Sequence, residues 1–299
     1  MTGLREKGSG ANRIHLVEQI VLECEATSRQ RTTEVLGVRL VWHQWGDINK
    51  PPLLLMHGGA GSWKHWLRNI AALAKDYWLI VPDLPGLGES AMPQTPNSAD
   101  QLAELIGLGL DQIVDVTRAV DIASYSFGGV VSGHLASLRP SRVNSLALVG
   151  AVGLSLSRNE RPKFLRVDPD LPVLERWKLQ AKNMVPHLIS NQNQVDDLAT
   201  HLQDIHVRQT RLRSSILSNK ETLGPILRSL DIPIAAAWGE ADSIYAGQPH
   251  EERIKAIMRL RHSGGVYFIK NAGHWAAFEQ PEAYAAWLLD WLSRKGNKA

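Results

Sequence analysis

The sequence predicts an α/β protein, with a doubly wound, mostly parallel sheet of eight strands and a helical cap inserted into it. Short, fully apolar runs that fit buried parallel strands alternate with segments whose apolar residues recur every three or four positions. One long segment, 153–228, shows the helical pattern without a strand. The chain of 299 residues is long enough for one large domain with such an insertion.

The elements follow from these patterns in chain order. Residues 1–12 are polar and are predicted to form a flexible tail, before a core of 13–152 and 229–299 around the cap, 153–228. Residues 15–25 and 37–45 are predicted to be two antiparallel strands. Apolar runs predict six further strands, at 52–56, 78–81, 119–123, 143–149, 234–238 and 266–269. Helices are predicted at 63–73, 99–114, 127–138 and 282–292.

Composition argues against several functional classes. Hydrophobic residues make up 44% of the chain, charged residues 21%, and the net charge is +3, as in a soluble globular protein that does not bind nucleic acid. No run approaches the roughly 18 apolar residues of a membrane span, and the first residues lack the apolar segment of a signal peptide. Cys24 is the one cysteine, so we expect no disulfide within the chain, a buried structural thiol and a cytoplasmic location.

Ser126 is the leading candidate for a nucleophile. It lies in the segment Ser-Tyr-Ser-Phe-Gly-Gly, residues 124–129, between a predicted buried strand and a helix rich in small residues. A sharp strand-to-helix turn exposes such a serine if the residues two before and two after it are small. Gly128 meets this requirement, and Ser124 stands where the usual motif has glycine. For this segment alone, a plain turn with a capping serine is the alternative.

A glycine-rich loop, residues 57–61, follows the predicted strand 52–56. Glycines let backbone N–H groups approach a ligand closely. We expect the N–H groups of Gly59 and Phe127 to form an oxyanion hole, in which each fixed donor is worth about 3 kcal/mol of the barrier. A tight structural turn is the alternative, and His57 is expected to form structural hydrogen bonds rather than to catalyse.

His274 and Asp242 are predicted to form a catalytic triad with Ser126. Each follows a predicted strand, His274 after 266–269 and Asp242 after 234–238. The histidine would act as the base, while the acid holds its tautomer and stabilises its cation. Glu240 is the rival carboxylate, and a solvated loop charge is the alternative for either acid. The chain order serine, aspartate, histidine is one that a large group of hydrolases uses.

Four such motifs, each at a strand end, resemble those of the α/β-hydrolases, and the resemblance runs from residue 15 to residue 292. Residues 83–90 look like the family's D-x-P-G-x-G-x-S loop, in which Asp83 and Ser90 are usually structural. The resemblance implies the α/β-hydrolase fold and serine hydrolase chemistry. It is strongest to the branch that holds the meta-cleavage-product hydrolases, which split a carbon–carbon bond in vinylogous diketo acids.

Several related activities stay open. Carboxylesterases and cofactor-free haloperoxidases share most of these residues, and Ser124 departs from the glycine that is usual in the branch. Serine at position 126 argues against haloalkane dehalogenases and epoxide hydrolases, which attack through a carboxylate. The sequence favours hydrolysis of a carbon–carbon bond in a meta-cleavage-type diketo acid. A carboxylesterase for small esters is the alternative, as is a ligand-binding receptor with weak hydrolysis.

The cap is predicted to select a carboxylate-bearing substrate. Residues 153–230 carry 12 Lys and Arg against 8 Asp and Glu, so the basic excess of the chain lies there. Arg208 and Arg211, three apart in a helical stretch, are expected to share a face and grip the carboxylate. A solvated helical surface is the alternative. The resemblance points the same way, because meta-cleavage hydrolases use a cap arginine.

Other substrate contacts are expected near the site loops, from Gly58, His65, Trp66 and Trp275. Core packing is the expectation for most of the ten tryptophans. Since the sequence shows neither metal-ligand spacing nor a phosphate loop, and this hydrolysis needs no cofactor, we expect neither a metal nor a cofactor. A small-molecule substrate is the expected partner, and a homo-oligomer stays open.

Overall fold

The structure, a computed structural model, describes residues 9–95, 98–160 and 162–295. The strands found there are β1 (Arg29–Val35), β2 (Val38–Trp45), β3 (Pro52–Met56), β4 (Trp78–Pro82), β5 (Val120–Tyr125), β6 (Val143–Val149), β7 (Ile234–Gly239) and β8 (Ser263–Ile269). The α-helices are α1 (Gly10–Ala26), α2 (Ile70–Leu73), α3 (Ala99–Asp111), α4 (Phe127–Leu138), α5 (Val173–His187), α6 (Asp197–Gln209), α7 (Ser214–Ser218), α8 (Leu223–Ser229), α9 (His250–Met258), α10 (Ala276–Glu279) and α11 (Pro281–Arg294).

The eight strands form one sheet in the order β1-β2-β4-β3-β5-β6-β7-β8. Strand β2 runs antiparallel to both of its neighbours, and the other five strand pairs are parallel. This confirms the predicted fold class. The carboxyl ends of β3 to β8 therefore meet at one edge of the sheet, which is where an open α/β sheet binds ligands.

Strand β3 shows how the sheet separates two apolar cores. All five of its residues are buried, because helices cover both faces. Leu53 and Leu55 join the cluster that includes α1 and α11, whereas Leu54 and Met56 join the cluster of α3 and α4. Each such leucine contributes about 1.5 to 3 kcal/mol through burial. The central strands are thus anchored from both sides, which fixes the loops at their ends.

The prediction for residues 15–25 is wrong, because they lie in helix α1 and not in a strand. The apolar residues that face the core recur at the helical spacings of three and four: Ile14, Val17, Val21 and Cys24. Of the predicted tail, residues 1–8 lie outside the described residues, and residues 10–12 already belong to α1. Cys24 is half-buried, and burial raises the pKa of its thiol to about 11, so that the thiol stays protonated at neutral pH.

Strand β2 pairs at the edge of the sheet with β1, which lies between the two predicted strands, 15–25 and 37–45. Its sequence, Arg-Gln-Arg-Thr-Thr-Glu-Val, buries Thr33 and Val35 and exposes the other residues. An edge strand pairs on one side and shields few side chains, so it carries little of the apolar alternation that marks a strand in sequence. The expected antiparallel start of the sheet is correct, but its first strand is β1.

The segment between β6 and β7 is helical, as expected, and contains α5 to α8. Helix α5 packs on α6, and α6 packs on α1, where Arg13 forms an ion pair with Asp197. Helix α8 instead packs on α4 and adds Leu223 and Leu227 to the core beneath the sheet. We call α5 to α7 with their connecting loops the cap. The division into a separate cap domain over 153–228 stays a prediction.

Candidate active site

Ser126 occupies the tight turn between β5 and α4. Its backbone has φ 51° and ψ −114°, a conformation that L-residues rarely adopt and that costs of the order of 1 to 3 kcal/mol. A Cβ atom on Gly128 would lie 2.3 Å from the carbonyl oxygen of Met56, so that glycine is required there. The turn holds the serine hydroxyl at the carboxyl edge of the sheet, partly accessible, with the positive end of α4 beside it.

Ser124 replaces the usual glycine of the turn without a clash. The Oγ of Ser132 on α4 donates its one hydrogen to the carbonyl oxygen of Gly129 at 3.1 Å. The side chain of Ser124 is fully buried, and its hydroxyl donates to the Oγ of Ser132 at 3.1 Å. Because the buried hydroxyl has a partner, the departure from the glycine pattern leaves the geometry of the turn intact.

The structure brings Ser126, His274 and Asp242 together at the ends of β5, β8 and β7. His274 Nε2 lies 2.9 Å from Ser126 Oγ, and His274 Nδ1 lies 2.9 Å from Asp242 Oδ2. The other carboxylate oxygen, Asp242 Oδ1, accepts from the N–H of Ile244 at 3.0 Å. With Asp242 ionised, Nδ1 carries the proton and donates to the carboxylate, which leaves Nε2 free to accept from the serine hydroxyl.

Burial distinguishes Asp242 from its rival carboxylate, Glu240. The side chain of Asp242 is wholly inaccessible and that of His274 is 4% exposed, whereas Glu240 is exposed on the same loop. Gly150, at the end of β6, has φ 59°, and a Cβ there would lie 3.2 Å from the His274 ring. The absent side chain at Gly150 therefore makes room for the imidazole.

Gly59 and Phe127, the predicted oxyanion hole, are adjacent in space. An ideal Cβ on Gly59 would lie 3.7 Å from Phe127 Cβ, and Phe127 is the first residue of α4, whose N–H has no partner inside the helix. The same Cβ position is 2.2 Å from the Oγ of Ser214, at the start of α7. A cap hydroxyl thus lies directly against the glycine loop.

Three buried imidazoles surround this glycine loop, and desolvation lowers the pKa of each below its usual range. His57 Nε2 accepts from the N–H of Leu84 at 2.9 Å, so that its Nδ1 is protonated and donates to the Gly58 carbonyl oxygen at 2.8 Å. His65 Nδ1 accepts from the N–H of Gly58 at 3.2 Å. His206, on α6, shares a hydrogen bond of 3.0 Å with Ser62 Oγ. The loop is therefore held by neutral groups, and His57 is structural.

Of the predicted substrate contacts, Gly58 lies against Ser126, and His65 packs on Tyr125, the residue before it. A Cβ on Gly58 would lie 3.4 Å from Ser126 Cβ, and the ring centroid of His65 lies 5.2 Å from that of Tyr125. Trp275 is 1% exposed and packs edge-on to His65 at 4.9 Å. The side chain of Trp66 is fully buried against Tyr284 in the core, and its expected contact with the substrate stays a prediction.

Arg208 and Arg211 do not share a helix face, because α6 ends at Gln209. The side chain of Arg208 is 47% exposed, and its Nε lies 3.3 Å from a carboxylate oxygen of Asp204. Arg211 donates through Nη2 to the carbonyl oxygens of Gly88 at 2.9 Å and Ser90 at 2.6 Å. Both guanidinium groups thus have acceptors within the chain, one in a surface ion pair and one in a cap-to-core contact, which argues against the expected carboxylate clamp.

The loop that receives Arg211 is the D-x-P-G-x-G-x-S segment. The carboxylate of Asp83 accepts from the N–H groups of Trp63 and Glu89, both at 2.8 Å, and Ser90 Oγ donates to the Asp83 carbonyl oxygen at 2.6 Å. These bonds tie the loops after β3 and β4 together. The structural role expected of Asp83 and Ser90 agrees with this geometry.

Glu279, on α10, is a site residue that the sequence analysis missed. It is 6% exposed, and its Oε1 accepts from the N–H and the Oγ of Ser190 at 2.9 and 2.8 Å. Its Oε2 accepts from the N–H of Gly273, the residue before His274. One carboxylate thus joins the cap to the histidine loop. The five-residue distance from the histidine is the one sequence signal for this role, and it is weak.

The described residues hold no group of three or more metal-ligating side chains, and none of the helices among them is long and apolar enough to cross a bilayer. What the arrangement does offer is a serine hydroxyl, a base oriented by a buried acid, and adjacent backbone N–H groups. This combination supports nucleophilic attack on a carbonyl carbon.

Several known proteins are similar to this chain in sequence or in fold. The chain is 28% identical over 276 residues to the dihydrolipoyllysine-residue acetyltransferase component of the acetoin cleaving system from Pseudomonas putida, covering 87% of this chain and 68% of that one. It is 24% identical over 299 residues to 2-hydroxy-6-oxo-6-(2'-aminophenyl)hexa-2,4-dienoic acid hydrolase from Metapseudomonas resinovorans, covering 95% and 98%. The solved structure of carboxylesterase CesB from Bacillus subtilis superposes with a TM-score of 0.74 at 18% identity, covering 95% and 98%, which shows a shared fold.

The sequence profile of the alpha/beta hydrolase family matches residues 53–287, which include the serine turn, the glycine loop and the histidine loop. This match spans well over half of the chain, and the eight-stranded sheet has the topology that the sequence resemblance implied. The chain therefore belongs to the alpha/beta hydrolase family.

Proposed function

We propose that the chain is a serine hydrolase that cleaves uncharged carboxylic esters, with Ser126 as nucleophile, His274 as base and Asp242 as orienting acid. The observation that carries the proposal is the unbroken line of hydrogen bonds from the Asp242 carboxylate through His274 to Ser126, with 2.9 Å at each step. Such a line activates a hydroxyl that is otherwise a weak nucleophile.

In the proposed first half-reaction, Ser126 Oγ bonds to the carbonyl carbon as its proton moves to His274 Nε2. The oxyanion that forms faces the N–H groups of Gly59 and Phe127. When the tetrahedral species collapses, the bond to the alkoxide breaks, and His274 gives its proton to the departing alcohol. Water then attacks the acyl-serine, passes a proton to His274, and releases a carboxylic acid while Ser126 regains its hydrogen.

The preference for an uncharged substrate rests on the groups around the serine. Desolvation keeps His57, His65 and His206 neutral, and the ammonium group of Lys64, three residues after the glycine loop, lies over the Trp63 ring at 4.6 Å. The cap arginines that a diketo acid was expected to need have other partners. Because a buried carboxylate needs a paired cation, these surroundings favour an ester without charge.

Carbon–carbon bond hydrolysis of a meta-cleavage-type diketo acid is the second candidate. It is favoured by the nearly end-to-end match to a hydrolase of that class, at 24% identity. Hydrolysis of the carbon–carbon bond releases a leaving group that is protonated on carbon, whereas hydrolysis of an ester releases an alcohol. The same serine, histidine and backbone donors would serve both reactions. A ligand-binding receptor with weak hydrolysis is the third candidate, and turnover separates it from the other two.

The experiment compares 4-nitrophenyl esters of two to eight carbons with 2-hydroxy-6-oxo-dienoic acids on purified protein. We expect multiple turnovers on the esters and a kcat/KM at least about tenfold lower on the acids. Ser126→Ala should lose about 10⁴-fold or more, whereas the matched control Ser293→Ala, on the exposed face of α11, should not change turnover. Preference for the acids would establish the second candidate, and sub-stoichiometric turnover on both substrates would establish the third.

A further inference from the structure

A buried arginine that is not a member of the proposed triad has donors without acceptors. Arg253, on α9, is 2% exposed, and its Nε and Nη1 atoms have no hydrogen-bond partner among the described residues. Its guanidinium carbon lies 4.9, 5.3 and 5.9 Å from the ring centres of Phe268, Tyr245 and Trp238. Aromatic faces partly compensate a buried cation, but they leave its N–H groups unsatisfied. Such donors indicate a missing acceptor.

Arg253 lines a cavity of about 140 Å³. The other walls come from the loop after β6, the loop after Tyr245 and the first turn of α9: Ser155, Leu156, Ser157, Gln248, Pro249 and Glu252. The first N–H groups of a nine-residue helix have no intrahelical partners and carry partial positive charge. The cavity thus joins two features that favour an anion, a guanidinium and a helix N-terminus.

A larger groove, of about 390 Å³, adjoins this cavity, since Ser155, Leu156 and Glu252 line both. Leu154, Leu227 and Leu260 give the groove apolar walls. Its remaining charged residues are basic: Arg228, Lys255 and Arg259. Glu252 is the one acidic side chain on the shared wall, and its Oε1 lies 3.4 Å from Lys255 Nζ, which offsets its charge.

We propose that this cavity and groove form a binding site for a small organic carboxylate, with the carboxylate held by Arg253 and an apolar body lying along the groove. A guanidinium presents N–H groups in the geometry that a carboxylate accepts. The apolar walls select against simple inorganic anions, and the basic rim draws the carboxylate in. No residue that lines the cavity or the groove belongs to the proposed triad, so binding there can be measured without turnover.

The probe is 4-bromobenzoate, because its bromine can be located in crystals by anomalous scattering. We expect one bromine beside Leu227 and Leu260, with the carboxylate at Arg253. In calorimetric titrations, Arg253→Met should weaken binding by about tenfold or more, as for a lost charge-assisted hydrogen bond. The uncharged 4-bromobenzamide should bind the wild type as weakly as the acid binds that variant.

Two further variants keep the test independent of how well Arg253→Met folds. Ala256→Trp fills the groove and leaves Arg253 in place, and it should abolish binding. Arg261→Gln removes an exposed arginine that pairs with Asp231 and does not line the groove, so its affinity should match the wild type. Bromine found at Ser126 alone, no binding at about 10 mM, or equal affinity for acid and amide would overturn the proposal.

Discussion

Replacing Asp242 by asparagine tests the proposed triad most directly. The Asp242 carboxylate is fully buried and faces His274 Nδ1 at 2.9 Å. An asparagine that turns its amide nitrogen toward Nδ1 would require the neutral imidazole to carry its proton on Nε2. That atom would then face Ser126 Oγ as a donor and could not accept the serine proton.

The expected loss follows from this change of tautomer. Where the acid of a serine hydrolase triad is exchanged in this way, kcat falls by about 10⁴-fold with the geometry preserved, which is about 5.5 kcal/mol of barrier. We expect 10³- to 10⁴-fold for Asp242→Asn. KM should change little, because the carboxylate lies behind the histidine and does not touch the substrate.

Glu240→Gln is the matched control, since Glu240 lies two residues away on the same loop and is exposed. It should retain kcat within about twofold, as surface substitutions usually do. The assay is steady-state hydrolysis of the best 4-nitrophenyl ester, together with the rate at which an organophosphonate labels Ser126. A loss below tenfold in Asp242→Asn, or a larger loss in Glu240→Gln, would refute the assignment of the acid.

Three further outcomes follow from the structure. Gly128→Ala should lower the free energy of unfolding by about 3 kcal/mol, and Tm by roughly 6 to 12 °C, because the new Cβ would lie 2.3 Å from a backbone oxygen at the end of β3. An unchanged Tm in calorimetry would contradict this. Burial lowers the pKa of His57 from 6.5 to about 4, so between these pH values the unfolded state binds a proton that the folded state does not. The free energy of unfolding therefore decreases as the pH is lowered, by about 2 kcal/mol at pH 5. Urea titrations at pH 7 and pH 5 should show this decrease in the wild type and not in His57→Gln. Arg211→Gln should cost about 1 to 2 kcal/mol of stability through the loss of its two carbonyl contacts, and Arg208→Gln should cost under about 0.5 kcal/mol. Neither variant should alter the ratio of kcat/KM for acidic substrates to that for neutral ones. A selective loss of activity on the acids would support the carboxylate clamp.

The sequence predicts the central strands and the site loops well, because buried parallel strands are continuous apolar runs and site residues follow their ends. Strand β6 and helix α4 have the predicted bounds. Helix α1 was missed because its β-branched residues suggested a strand, although their spacing was helical. Helix α9 was not predicted, since its first turn is charged and it buries few residues.

The cap residues were harder to place, because their partners are distant in sequence. Arg211 bonds to a loop more than 120 positions away, and Glu279 bonds to Ser190 across 89 positions. Local spacing predicts which residues share a helix face, but it does not say which face meets the core. The error over Arg208 and Arg211 arose there, together with the end of α6 at Gln209.

Helix α1 has a consequence for how broadly the enzyme can select substrates. It packs on α6, its residues Val17 and Val21 belong to an apolar cluster that also includes residues of α6, and the Arg13–Asp197 pair joins the two helices. His206 connects α6 to Ser62, the residue that follows the glycine loop. Helix α6 is thus held both by α1 and by the residue that follows the glycine loop. Weakening the packing of α1, for example by Val17→Ala with Val21→Ala, should lower Tm and make the entrance to the site more adaptable. Such a variant is a starting point for selecting activity on bulkier esters.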